Sequence, residues 1–263
     1  MSGRAAEAWR LRGTPVLLYH AVGEEALAPA ERRYQVSVGR FDAHLDAVAA
    51  SGRRVVSLAE LWSGAGPRER AVAITVDDGR ESDYRAVWPL MRVRGWRAEL
   101  FLNPGTIGRP GYLSWRQVRE MAAAGVGVQS HGYDHVSLWG LGRAALRRQL
   151  GDSRRALEDG TGRAVEFVAA PFGHLTATAV RVALEEGYRA VCTSWSWPAR
   201  PGARTIGRVA VYEDTSPQEL GRVLEGRVLA YGRRALRTAL VYPPKRLAVA
   251  LQPARFGALA EQR

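Results

Sequence analysis

The chain has 263 residues, 46% hydrophobic and 24% charged, with 8 Trp, 9 Tyr and 5 Phe, which excludes disorder as its dominant state. One cysteine, Cys192, excludes an internal disulfide framework and a thiolate metal cluster, and no apolar run reaches the roughly 18 residues of a membrane span. The net charge is +12, and residues 222–263 carry nine Lys and Arg against two Glu, a basic end suited to an anionic partner.

Short apolar, β-branched runs recur in chain order at 15–19 (PVLLY), 54–57 (RVVS), 71–76 (AVAITV), 98–103 (AELFLN), 126–129 (VGVQ), 165–169 (VEFVA) and 188–193 (YRAVCT). Between them, helical periodicity marks 41–51, 115–124, 143–157 and 176–186, several of these closed by a glycine such as Gly52, Gly125 or Gly187. Strands alternating with helices at this spacing predict βαβ units around a parallel sheet. Seven strands in about 210 residues suit one distorted, TIM-like (β/α)7 barrel. From about Gly221 the pattern becomes helix, a break at Pro243 and Pro244, and a further short helix. The expected division is therefore a barrel over 1–221 and a basic helical appendage over 222–263.

In such barrels the chemistry sits where strands end. The run at 71–76 ends in Asp77, Asp78 and Gly79, two carboxylates that can take separate jobs, although Asp-Gly is also a common turn. The run at 126–129 leads into Ser130-His131-Gly132-Tyr133-Asp134-His135. Histidines at i and i+4 can meet on one cation if the segment turns helically, and the chain has only five. The run at 165–169 leads into Pro171-Phe172-Gly173, and the first run ends in His20.

These motifs together resemble the polysaccharide deacetylases of carbohydrate esterase family 4, the NodB homology domain. Thr75-Val76-Asp77-Asp78-Gly79 is similar to that family's T-F-D-D-G, and Ser130-His131 through His135 to its S-H-x-x-x-H. The resemblance runs from about Pro15 to Thr215. It implies a general base at Asp77 and a divalent metal on Asp78, His131 and His135, zinc first, with cobalt, nickel or manganese as alternatives. Pro171-Phe172-Gly173 matches the loop whose backbone N–H helps to hold the oxyanion. The family's arginine before that turn is replaced by Ala169 and Ala170, and its late Leu-x-His is missing. Both departures resemble the circularly permuted, poly-N-acetylglucosamine deacetylase-like branch, where a first-strand Tyr-His supplies the acid. That points to His20, with His174 the rival, and Ile206-Gly207-Arg208-Val209 resembles that branch's late segment.

The implied activity is metal-dependent hydrolysis of the N-acetyl group of an amino sugar or glycoconjugate, within a biosynthetic route. Arg208, Trp195 and the Pro171–Gly173 turn are the expected substrate contacts, with core packing the alternative for Trp195 and Trp197. Two other classes compete: a sugar-binding pseudoenzyme on the same barrel, and a peripheral membrane-surface protein using the basic tail. No helix-turn-helix, zinc finger or RNP-like run is present, so nucleic acid is not an expected partner. The first residues, MSGRAAEAWRLRG, lack a signal peptide's apolar core. The expected location is the cytoplasm, with contact at the inner face of the membrane.

Overall fold

A computed structural model describes residues 10–23, 32–65 and 70–237. Nine short strands form one curled parallel sheet: β1 (Val16–Tyr19), β2 (Arg54–Val55), β3 (Ala71–Asp77), β4 (Glu99–Leu102), β5 (Gly127–Ser130), β6 (Phe167–Ala169), β7 (Ala190–Cys192), β8 (Thr205–Ile206) and β9 (Val209–Ala210). Their order is β8-β7-β6-β5-β4-β3-β1-β9, with β2 paired to the start of β3. β8 and β9 lie at opposite ends of this order yet are joined only by Gly207 and Arg208. The sheet is therefore wrapped until its two edges meet, and the chain itself bridges the seam. The seven expected runs all contain strands. β8 and β9 are two residues long, too short to show a period.

Eight helices surround the sheet: α1 (Val38–Ala50), α2 (Leu58–Ser63), α3 (Trp88–Val93), α4 (Trp115–Ala123), α5 (Arg143–Arg147), α6 (Ser153–Thr161), α7 (Ala177–Glu185) and α8 (Pro217–Leu224), and residues 228–237 are helical too. Side-chain caps fix five of these starts. Ser57 with Glu60 and Ser114 with Gln117 form reciprocal capping boxes, and Ser37, Thr176 and Ser216 each accept a backbone N–H. The helix expected over 143–157 runs on to Thr161 but widens into a π-helical turn at Arg148–Asp152. That turn delivers the buried Gln149 to the site.

Alternation along the strands divides the core in two. Leu17, Tyr19, Val72, Ile74, Leu100, Val128, Val168 and Val191 face outward into the layer under the helices. Val16, Ala73, Phe101, Phe167, Ala169, Ala190, Cys192 and Ile206 face into the barrel, whose lower end is plugged by Leu58 and Leu61 of α2. The plug rests on a polar contact. Glu99 accepts hydrogen bonds from the Leu58 N–H (3.0 Å) and Gln129 Nε2 (2.9 Å), while Gln129 Oε1 is fixed by the N–H groups of Glu166 and Phe167. Gly127 stands opposite because a Cβ there would collide with the Glu99 carboxylate.

Burial pushes the Glu99 carboxyl up, and the hydrogen bonds from Gln129 and Leu58 hold it back. A pKa raised on folding adds stability below the ordinary carboxylate range, and that stability is lost as pH rises through the folded-state value. Urea midpoints of the wild type, taken relative to non-titrating Glu99→Gln, should therefore fall as pH rises from the acidic side. A difference independent of pH would sink this.

The expected boundary at 221/222 falls inside α8. Leu220, Val223, Leu224, Ala230 and Tyr231, on both sides of it, are buried in the outer core, and Arg234 bonds the Ala210 carbonyl at the end of β9. The apolar residues on both sides of that boundary thus share the core of the barrel wall, with α8 packed on α1. The remainder of the anticipated basic tail, 238–263, including Pro243 and Pro244, lies outside the described residues.

Candidate active site

All the strand ends singled out above open on one end of the barrel. Thr75 and Asp77 on β3 share the inward face of Ala73. On β1 the inward positions Val16 and Leu18 put His20 on that same side by period two. The chain then makes three unusual turns. Asp78, His135 and Phe172 are the only non-glycine residues with positive φ among the described residues, at 82°, 57° and 60°. Such conformations cost about 1–3 kcal/mol each and persist where surrounding structure enforces them. Gly79, at φ 66°, follows Asp78 because a Cβ would approach Leu102 Cδ2 to 2.8 Å.

The result is a compact set of donors. One ligand atom each from Asp78, His131 and His135 lies within 4.8 Å of the others. Nε2 of His135 is 3.2 Å and Nε2 of His131 3.5 Å from Asp78 Oδ1. His131 Nδ1 donates to the Ala169 carbonyl at 3.0 Å, which leaves Nε2 as the lone-pair nitrogen facing Asp78. The two histidines do not converge through a helical turn, as the i, i+4 spacing suggested. Residues 131–136 form an irregular loop, and the left-handed His135 brings its ring back over His131, centroids 5.1 Å apart.

Buried side chains that the motifs did not reveal hold that loop. Asn103 Nδ2 donates to the carbonyls of His131 and Gly132. Ser153 donates to Gly132 and meets Ser130 at 2.8 Å. Gln149 Oε1 accepts from the N–H groups of Tyr133 and Asp134, each at 3.0 Å, and its Nε2 donates to the Asp134 carboxylate. Gln149 and Ser153 are polar interruptions on the apolar stripe of 143–157, and that was the one signal by which sequence could have found them.

Asp77 has a different partner. Arg208 reaches from the β8–β9 seam and clasps it with two hydrogen bonds, 2.6 and 2.7 Å, while Nε bonds the Thr193 carbonyl and Nη1 touches Thr75 Oγ1. Arg208 is 0% exposed, so this expected substrate contact is instead a buried clamp on Asp77. Burial would push Asp77 up, but the Arg208 charge, then His131, hold its carboxyl below the ordinary range. Asp78 is likewise held well below its ordinary value against burial, by His135 and His131.

His20 is near enough to Asp78, Asp77, Arg208 and His131 for their charges to act on it, but burial outweighs them and pushes its pKa down. His174 is buried and turned to Ser137, with Nδ1 3.0 Å from that hydroxyl. Phe172 lays its ring against His135 at 4.8 Å, and Trp195 and Trp197, beyond β7, are 41% and 53% exposed, which removes core packing as their role. Asp, His and His offer one oxygen and two nitrogens, a donor set that suits zinc and other first-row divalent ions and leaves positions open.

Comparison with known proteins agrees with this fold. The polysaccharide deacetylase family model matches residues 64–191. YxkH of Bacillus subtilis, named for the same family, is 25% identical over 217 residues, 80% of this chain and 76% of that one. Among solved structures, IcaB from Ammonifex degensii is 28% identical with a TM-score of 0.71, covering 83% of this chain and 98% of that one. The Streptococcus pyogenes deacetylase PplD shares the fold at a TM-score of 0.72 and 22% identity, covering 82% and 98%. With the motifs, the curled barrel and these relatives in agreement, residues 64–191 match the polysaccharide deacetylase family, and the chain as a whole is similar to its members.

Proposed function

We propose that the protein is a metal-dependent N-deacetylase that hydrolyses the acetamido group of an N-acetylated sugar in a polysaccharide or glycoconjugate. The observation that carries this reading is the Asp78, His131 and His135 triad, its ligand atoms within 4.8 Å, set beside a second, ionised carboxylate. A divalent cation held there would act as a Lewis acid on the acetyl carbonyl and on water. Zinc suits the donors best, with cobalt, nickel or manganese as substitutes. A pseudoenzyme would have no need of so complete a set.

The chain's own residues supply the rest. Asp77 accepts the proton of the attacking water, Arg208 fixing its plane and keeping it ionised. The backbone at Phe172, within the strained Pro171–Gly173 turn, faces the developing oxyanion, a contribution worth about 3–4 kcal/mol. His20 delivers a proton to the departing amine. His174 is the less favoured acid because it is turned to Ser137. Trp195 offers an exposed ring on which a sugar face can stack.

The test is acetate release from N-acetylglucosamine oligomers, followed by mass spectrometry, before and after chelation and metal return. Release that requires metal supports the reading, whereas none under any metal rejects it. His20→Ala should retain metal and lose roughly 10²–10⁴ in rate; an undiminished rate would transfer the acid role to His174. Gln149→Leu leaves the Tyr133 and Asp134 N–H groups without their acceptor. It should weaken metal binding about 10- to 100-fold, the usual span for residues that orient ligands. Competition with a chromophoric chelator would measure it, and unchanged affinity would remove Gln149 from that role.

A further inference from the structure

The rim beside His20 carries charge that deacetylation does not use. Tyr34, on the short turn Arg32–Tyr34, packs against the His20 ring at a centroid distance of 4.8 Å, and Tyr212, just past β9, lies 5.9 Å from Tyr34. Each tyrosine carries an arginine. The Arg33 guanidinium carbon is 4.9 Å from the Tyr34 centroid, and that of Arg237 is 4.3 Å from Tyr212. A row of rings therefore starts at the proposed acid and ends in two exposed cations.

A guanidinium held over a ring by its charge keeps N–H donors that the ring does not engage. Their fork matches a carboxylate or a phosphate bidentately. Arg33 makes no ion pair among the described residues. Arg237 has only Asp214 at 3.4 Å, and the two side chains are 52% and 68% exposed, a contact that water and ligand exchange readily. Glu213, the other acid on this rim, is already engaged by the N–H and hydroxyl of Ser37 at 2.7 and 3.0 Å. The cationic tips are thus available to an incoming anion.

We propose that Tyr34, Tyr212, Arg33 and Arg237 form a subsite for an anionic group, a carboxylate or a phosphate, on the sugar adjoining the N-acetylated one. The preferred substrate is then an acidic glycan. The catalytic half of this inference rests on the deacetylase reading; the anion-binding half does not. Because the tips are exposed, the preference should weaken as salt screens it.

Three N-acetylglucosamine trimers test it: one neutral, one with a carboxylate and one with a phosphate on the neighbouring sugar. At low salt, kcat/KM for an acidic trimer should exceed that for the neutral one by about tenfold and fall toward it at high salt. Arg33→Ala and Arg237→Ala should each reduce that ratio. Arg163→Ala should not, since it removes the same charge from an exposed position before β6, on the opposite side of the barrel. Whichever acidic trimer is preferred identifies the anion. Equal use of all three trimers, or an equal effect of Arg163→Ala, overturns the subsite. If no trimer releases acetate, the deacetylase reading fails and calorimetric binding to the metal-loaded protein decides. Tighter binding of an acidic trimer, lost in Arg33→Ala, upholds the subsite, and equal binding overturns it.

Discussion

His131→Ala and His135→Ala should each leave the protein without stoichiometric metal and lower acetate release on the order of 10³-fold or more, since the several kcal/mol of Lewis-acid stabilisation go with the ion. The barrel should survive both changes. His135 sits on a loop at the open end, and His131, though buried, contributes one side-chain hydrogen bond, to the Ala169 carbonyl. Metal content by elemental analysis and far-ultraviolet circular dichroism separate loss of the ion from loss of the fold. Full occupancy in both variants would overturn the ligand assignment. Asp77→Asn supplies the contrast: metal should stay while the rate falls, because Asp77, whose Oδ2 lies 3.9 Å from His131 Nε2, is clasped by Arg208 and stands outside the three-residue ligand set.

Arg208→Met should be among the most destabilising single changes in the chain. It strips two hydrogen bonds from a carboxylate that is 2% exposed, and an uncompensated buried charge costs about 3–5 kcal/mol. The Thr193 carbonyl loses a donor at the same time. The double variant Asp77→Asn/Arg208→Met removes both charges and should recover part of the loss, which a urea-denaturation cycle would read as coupling. A cost below about 1 kcal/mol for Arg208→Met, the range of exposed pairs, would mean that the clamp contributes little. The two residues are 131 apart in sequence, so their coupling also measures how firmly the seam is closed.

The strand pattern was legible because β1, β3, β4, β6 and β7 are buried along their whole length, and such strands read as continuous apolar runs. What the pattern lacked was anything shorter than a period. α2 and the Asp83–Val93 segment gave no clear signal, and β8 and β9 gave none. The boundary at 221/222 followed composition, since basic residues accumulate there. Packing follows the apolar stripe, and Leu220, Val223, Leu224, Ala230 and Tyr231 continue it across the division.

The clustering of Asp78, His131 and His135 was legible for a related reason. Asp78, His131 and His135 stand directly after apolar runs, and strand ends in a parallel barrel converge on one face whatever their separation in sequence. How they converge was not legible. It depends on left-handed turns at Asp78 and His135, which L-residues adopt only when neighbours enforce them, and on Asn103 after β4 together with Gln149 and Ser153 of the helix over 143–161. Arg208 is the clearest case. Sequence resemblance placed it near substrate. Only closure of the sheet, with β8 and β9 meeting across two residues, turns its guanidinium inward to Asp77. The sequence by itself therefore determined the layered barrel, the face on which chemistry occurs and the donor types available there, because burial and periodicity are local properties of the chain. The tertiary structure alone decided which donor faces which partner, because those contacts are set by how the sheet curls and closes.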